Sequence, residues 1–361
     1  MKMTFRWYGE TLDPIPLKYI KQIPGVCGVV WALHDVPVGE CWSLSRIDEV
    51  KAQIQKYNFN IDVVESVNVH EDIKLGVSSR NRYIENYKRT LQNLGKIGVK
   101  VVCYNFMPVF DWLRTDLYKP QYDGSTALFY ERSKIDNANL FEFLDEISKQ
   151  RGLLTMPGWE PEKISRIKEL FSAYKDIKEE NLWENLKYFL KEIIPVAEES
   201  GIKMAIHPDD PPWNIFNLPR IITNKNNIRR FLELVDSPSN GLTLCSGSLG
   251  SCMKNDIPAI IREFSNRIYF AHIRNVKHFE NGDFVETSHK TSEGSLDIAE
   301  ITKAYFDISY KYYVRPDHGR HIWDEKSRPG YGLYDRALGV MYIWGLWDAF
   351  NKKVSIFEKR R

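Results

Sequence analysis

The sequence predicts an α/β protein of the (β/α)8 TIM-barrel class, with a long insertion after the fourth strand. Eight short runs rich in β-branched and aromatic residues recur along the chain. Several are apolar at nearly every position, as expected of parallel strands covered on both faces. Helical patterns separate many of them, giving the strand–helix alternation that closes a barrel. A doubly wound open sheet would alternate in the same way. No G-x-G-x-x-G or G-x-x-x-x-G-K-[ST] opens any helix, so the open sheet lacks its usual phosphate-binding reason.

The runs are Thr4–Tyr8, Val26–Leu33, Ile61–Val67, Val99–Phe106, Lys203–His207, Leu242–Cys245, Ile268–Ile273 and Tyr312–Arg315. After the second, Ser45-Arg46-Ile47-Asp48 resembles a capping box ahead of Val50 and Ile54 on one helical face. Before the fourth, Ile84, Tyr87, Leu91 and Leu94 form a helical stripe that stops at Gly95 and Gly98. Leu182, Leu186, Phe189, Leu190, Ile193 and Ile194 form another, ended by Gly201. Ile228, Phe231 and Leu232 follow the fifth run, Ile260, Ile261 and Phe264 the sixth, and Leu296, Ile298 and Ile301 the seventh. These stripes are core-facing surfaces. Between the fourth and fifth runs lies a segment with Trp112, Trp159 and Pro-containing turns. An insertion at about 107–180 is expected on the catalytic face, as a lid or an oligomer contact. Residues 1–361 otherwise read as a single barrel domain without repeat or linker.

A hydrophobic content of 43% and a charged content of 27% describe a globular chain. A net charge of +2 gives no footprint for nucleic acid or acidic lipid. Five cysteines without a C-x-x-C point to a reducing compartment. Met1 to Trp7 carries no signal-peptide core, and the apolar stretch Ala337 to Phe350 is broken by Asp348 and too short for a bilayer. The expected location is the cytoplasm, and the basic end Lys359-Arg360-Arg361 reads as a solvated tail.

The chemistry concentrates where four consecutive runs end. Met204-Ala205-Ile206-His207, Leu242-Thr243-Leu244-Cys245, Tyr269-Phe270-Ala271-His272 and Val314-Arg315-Pro316-Asp317 each place a possible metal ligand there. Singly, a strand-end His is more often a satisfied polar residue, a Cys a small buried apolar group and an Asp before a turn a capping residue. Jointly, on strands whose ends converge on one mouth, His207, Cys245, His272 and Asp317 form a credible shell for zinc, ferrous iron or manganese. His318, next to Asp317, is placed to handle protons near a metal-bound substrate or to support a ligand. The loop Arg328-Pro329-Gly330-Tyr331-Gly332 presents Tyr331, either as a general acid or base or as a packed aromatic. His321 reads as structural.

The chain resembles the mannonate dehydratase family at Phe5-Arg6-Trp7-Tyr8-Gly9, at Gly28-Val29-Val30-Trp31-Ala32-Leu33-His34 with Gly39-Glu40-Cys41-Trp42, and at Ala205 to Pro212. Arg315-Pro316-Asp317-His318-Gly319 and Gly330-Tyr331-Gly332 complete the likeness, which runs nearly end to end. The His-Pro-Asp-Asp-Pro-Pro and Arg-Pro-Asp-His-Gly runs are its specific parts. The resemblance implies a xylose-isomerase-like barrel that uses Mn2+ or Fe2+, held here by His207, Cys245, His272 and Asp317. It implies dehydration of the sugar acid D-mannonate to 2-keto-3-deoxy-D-gluconate in hexuronate (glucuronate) catabolism, with His318 and Tyr331 as the proton-transfer residues. Base at C2 and acid at the C3 hydroxyl are expected on opposite sides of the substrate, with the assignment between the two left open. Arg274 and Arg320 are candidate partners of the anionic substrate, and His34, Asn105 and Trp31 candidates for the far side of the pocket. A homodimer or larger homo-oligomer is expected by analogy.

A sugar isomerase or epimerase on the same barrel is the nearest rival. It would favour several Glu and Asp ligands, and here only Glu65, on the third run, stands at a strand end in that way. A barrel endonuclease would want a basic groove. A non-catalytic carbohydrate-binding protein could use the ten tryptophans but has no need of His318 beside a ligand.

Overall fold

A computed structural model describes residues 1–136, 140–151 and 166–358. Trp159 and the terminal Lys359-Arg360-Arg361 lie outside the described residues. In chain order the strands are β1 (Lys2–Arg6), β2 (Val26–Trp31), β3 (Asn60–Glu65), β4 (Val101–Tyr104), β5 (Asp116–Pro120) and β6 (Thr126–Tyr130). They continue with β7 (Lys203–Ile206), β8 (Asn240–Cys245), β9 (Ile268–Ile273), β10 (Val276–His278), β11 (Phe284–Glu286) and β12 (Tyr313–Pro316). Strands β1, β2, β3, β4, β7, β8, β9 and β12 pair in parallel in that order, and β12 closes on β1. Each of the eight runs expected to form a strand overlaps one of these.

Alternation along the strands explains closure. Val30, Val63, Val101, Cys103, Ala205 and Phe270 form one buried cluster, filling the barrel. Their chain neighbours Val29, Trp31, Val64, Val102 and Met204 join the larger core between the strands and the helices. A period of two thus supplies an inner and an outer apolar layer from one short run. Trp31, expected near the substrate, belongs to that outer layer. It is fully buried, and its Nε1 donates to the Ile61 carbonyl at 3.1 Å.

Two helix ends differ from the sequence expectation. Helix Leu44–Gln55 is capped by Ser43, whose hydroxyl accepts from the Arg46 N–H, so Ser45 lies inside the first turn. Gly95 does not stop its helix, which spans Arg80–Lys96. A Cβ at Gly95 would stand 2.7 Å from the Ser200 carbonyl oxygen, so the glycine is there for close approach to the end of helix Glu179–Glu199. Gly98, at φ +93°, makes the left-handed turn into β4.

A second, antiparallel sheet was not foreseen. Its order is β10-β11-β6-β5, joining a hairpin from the segment after β4 to a hairpin that follows β9. These strands are short, and β5 (Asp-Leu-Tyr-Lys-Pro) carries little alternation, so the sequence shows no strand signal there. The first hairpin is also tied to the loop after β12 by reciprocal backbone bonds between Thr126 and His321. Among the described residues no helix is long and apolar enough to cross a membrane.

Alanine is a better helix former than glycine by about 1 kcal/mol. Gly95→Ala is nevertheless expected to lower the urea midpoint, because the added carbon meets backbone across the helix contact. A midpoint that rises would show that the contact yields.

Candidate active site

The ends of β7, β8 and β9 place His207, Cys245 and His272 around one point, with Asp317, after β12, beside Cys245. One donor atom from each of His207, Cys245 and His272 lies within 4.8 Å of the others. Asp317, the fourth residue expected there, stands at the edge of this group of three, its Oδ2 3.3 Å from Cys245 Sγ. The His207 Nδ1–H donates to its neighbour's carbonyl, Pro208 O, at 2.7 Å, which leaves Nε2 for a ligand. His272 Nε2 is buried without a hydrogen-bond partner of good geometry, its nearest polar neighbour being Glu65 Oε2 at 3.5 Å. Cys245 Sγ accepts from the Ser248 N–H at 3.4 Å and lies 3.1 Å from the Ser248 hydroxyl, which also reaches Asp210 at 3.0 Å. Two imidazoles, a sulfur and a carboxylate with an orphaned buried nitrogen fit a divalent transition metal.

A lattice of buried charge holds these groups. Arg315 grips Glu65 through two bonds of 3.0 and 2.9 Å and Asp317 at 2.7 Å. Arg274 reaches the other oxygen of Asp317 at 2.9 Å and Asp210 at 2.7 Å. Arg114 bonds Asp210 at 2.8 Å and Glu286 at 2.6 Å. Burial alone would raise the Asp317 carboxyl, but Arg315, His318 and Arg274 hold it well below its ordinary range. Against burial, Arg315, His272 and Arg6 do the same for Glu65, and Arg114 and Arg274 for Asp210. The carboxylates therefore stay ionised, as metal ligation and pairing require. Gly247 allows this packing, since a Cβ there would lie 2.0 Å from Arg274 Nε.

The lattice ends on His318. Glu286 oxygens lie 2.9 and 3.0 Å from its Nδ1. Arg274 Nη1 is also 3.1 Å from Nδ1, but the Glu286 carboxylate, with both oxygens in reach, can only accept. We therefore assign the Nδ1 proton to the bond with Glu286, which leaves the Nε2 lone pair toward Tyr331 Oη at 3.0 Å. Burial would raise Glu286, but His318, Arg274 and Arg114 lower it, so it is an ionised acceptor. Burial, then Tyr8, pushes the Tyr331 phenol well above its ordinary value. His318 and Tyr331 thus lie side by side, not on opposite sides as expected. The loop folds back because Gly319 N–H bonds Gly330 O at 2.8 Å, and a Cβ on Gly330 (φ +78°) would crowd His318 at 3.1 Å.

The remaining sequence candidates divide. Asn105 lines the cavity beside the metal-capable cluster, its oxygen accepting from the Met107 N–H. Arg274 also lines it, but its guanidinium is engaged by Asp210 and Asp317, so it positions those groups. His34 lies in an adjoining lobe. Arg320, expected to meet the substrate, instead pairs with Asp335 at 3.0 Å and Asp123 at 2.7 Å, away from that cavity's lining. His321 bonds Ser327 and the Arg328 carbonyl, a structural role. Arg315 and Asp210 sat unassigned in the two most specific sequence runs, and Glu65 was visible as a lone strand-end Glu. Glu286 gave no signal, because it reaches the site through the unforeseen sheet.

Fold and site together define a TIM-barrel enzyme built around a metal-capable cluster. The family model described as D-mannonate dehydratase (UxuA) matches residues 1–356, and the chain belongs to that family of hydro-lyases. It is 78% identical over 352 residues to the mannonate dehydratase of Endomicrobium trichonymphae, covering 98% of this chain and 97% of the relative. The crystal structure of mannonate dehydratase from Streptococcus suis serotype 2 superposes with a TM-score of 0.89 at 46% identity, over 98% of this chain and 96% of that one. A structure of L-ribulose 3-epimerase, at TM-score 0.54 and 11% identity over 98% and 97% of the two chains, shares the fold alone.

Glu286→Gln is expected to lower kcat by about tenfold to a hundredfold, with bound metal per chain unchanged, since supporting groups commonly carry that weight. Turnover at the wild-type rate would remove Glu286 from the account.

Proposed function

We propose that this chain removes water from D-mannonate to give 2-keto-3-deoxy-D-gluconate, in hexuronate catabolism. The observation that carries the reading is His318, held by Glu286 on one nitrogen and facing Tyr331 with the other, beside Asp317. His207, Cys245 and His272, with Asp317 beside them, would hold a manganese or ferrous ion, which would supply Lewis-acid stabilisation of the negative charge that develops on the substrate oxygens.

The C2 proton of an aldonate is weakly acidic because its neighbour is a carboxylate, so the base must be oriented and its charged form stabilised. His318 Nε2 takes that proton, and Glu286 stabilises the imidazolium, the same division of labour as in a catalytic triad. Tyr331, whose raised phenol stays protonated near neutral pH, gives its proton to the departing C3 hydroxyl. The C2–H electron pair becomes the C2–C3 double bond, the C3–O bond breaks, and water leaves. The proton on His318 then crosses the 3.0 Å bond to Tyr331, restoring both groups. The enol loses its O2 proton and gains one at C3 to become the 2-keto acid, with no net change in protons. Because acid and base are neighbours, hydrogen and hydroxyl leave from the same face of the substrate.

We also place the chain in the reducing cytoplasm. Its cysteines at 27, 41, 103, 245 and 252 are all free, which supports that reading.

Protein stripped with chelator and restored with manganese is expected to convert D-mannonate in buffered deuterium oxide, followed by proton NMR. 2-Keto-3-deoxygluconate should form only when metal is present. His318→Asn should reduce the rate by about a hundredfold or more while metal content stays at the wild-type level. Ketose or epimer signals in place of the deoxy acid would favour the isomerase reading instead. Loss of metal together with activity in His318→Asn would make this residue part of the metal scaffold.

A further inference from the structure

The cavity at the metal-capable cluster opens beside a second lobe at the ends of β1, β2 and β3. The metal-side lobe has a volume of about 50 Å³, the second about 100 Å³, and Arg6 and Ser66 line both. A six-carbon acid reacting at C2 and C3 must send its remaining carbons somewhere, and the larger lobe adjoins the reacting pair.

The walls of this lobe carry polar atoms without partners. Arg6, Tyr8 and Arg328 are each at least 95% buried. Nε and Nη1 of Arg6, Oη of Tyr8 and Nε of Arg328 have no hydrogen-bond partner. Leaving such groups unmet is costly, most of all where they are charged. Arg6 is partly balanced by Glu65 at 3.6 Å. Arg328 forms no ion pair within 4 Å among the described residues, and one of its nitrogens donates to the Leu12 carbonyl. Both guanidinium groups lie against the Tyr8 ring, at 4.7 and 4.5 Å from its centroid. Tyr8 in turn meets Tyr331 edge-on at 5.0 Å, which joins this lobe to the reacting pair. Half-buried His34 lies 5.0 Å from the Tyr8 ring and 3.5 Å from Arg6. Burial, then Arg6 and Arg328, holds its imidazole well below its ordinary value, so it is neutral and can both give and take a hydrogen bond.

We propose that this second lobe is the specificity pocket for the polyhydroxylated tail of the sugar acid, with Arg6, Arg328 and His34 as the groups that read its hydroxyls. The inference rests on the dehydratase reading for the pose of the reacting carbons. Donors in fixed positions against a chain of hydroxyls discriminate strongly, because an acid lacking a hydroxyl leaves a buried donor unmet. The lobe therefore selects chain length and the configuration beyond C3.

The test measures binding by calorimetry on manganese-loaded protein, with D-mannonate and with a four-carbon aldonate of the same C2 and C3 configuration. Two variants are used: Arg328→Gln, which removes a reader, and Val38→Phe, which narrows the lobe from a half-buried loop position and removes no donor. Each is expected to weaken D-mannonate about tenfold to a hundredfold while the four-carbon acid binds as to the wild type. Equal loss for both acids, or no loss for either, in a variant whose circular dichroism matches the wild type would overturn the proposal. Binding is read apart from turnover. Tail-dependent binding without 2-keto-3-deoxygluconate would sink the dehydratase reading and leave the pocket, whereas turnover with tail-independent binding would do the reverse.

Discussion

An unbroken alternation of buried carboxylates and guanidinium groups crosses the mouth of this barrel, from Glu65 through Arg315, Asp317, Arg274, Asp210 and Arg114 to Glu286, and then to His318. Each member is almost fully withdrawn from water, and each ion so placed would cost several kcal/mol if left alone. The chain is tolerable only when every link is made, so it leaves each side chain little freedom. Removing one partner from an isolated buried pair costs ~3–5 kcal/mol; here the interior members keep a second partner, so the loss is shared along the chain. The proposed ligand Asp317 and the proposed base His318 are both set by this lattice.

Two parts of the fold supply the lattice. The barrel delivers Glu65, Arg315, Asp317 and Arg274 from β3, β12 and β9 or the positions just after them, with spacing fixed by strand register. The second sheet delivers Glu286 at the end of β11, and Arg114 comes from the residues before β5. The segment after β4 is thus more than a cover over the site. Its hairpin pairs with β11, and Arg114 clamps the carboxylate that orients His318. A change of length or packing in that segment would reach the proposed base His318 through Glu286.

The barrel was legible in the sequence because several of its strands are apolar at nearly every position and helical stripes separate them, a pattern that needs no long-range knowledge. The metal-capable cluster was legible for a related reason: a (β/α)8 topology brings strand ends together, and His207, Cys245 and His272 at three run ends do meet. Glu286 and Arg114 were not legible, since their placement depends on pairing between segments far apart in the chain. The same limit explains His318 and Tyr331. The sequence shows both residues, but only the backbone bond from Gly319 to Gly330 shows that they are neighbours. Arg320 was misleading because an Arg near a ligand run looks like an anion binder, and its partners Asp335 and Asp123 lie elsewhere in sequence.

The most direct measurement is the absorption spectrum of the protein loaded with cobalt(II) in place of its proposed metal, for the wild type and Cys245→Ser. The account predicts a thiolate-to-cobalt charge-transfer band in the wild type that is absent in the variant, since Cys245 Sγ is one of the donors around a single ion. Cobalt bound without such a band, or a band that survives the loss of Cys245, would contradict the centre described here.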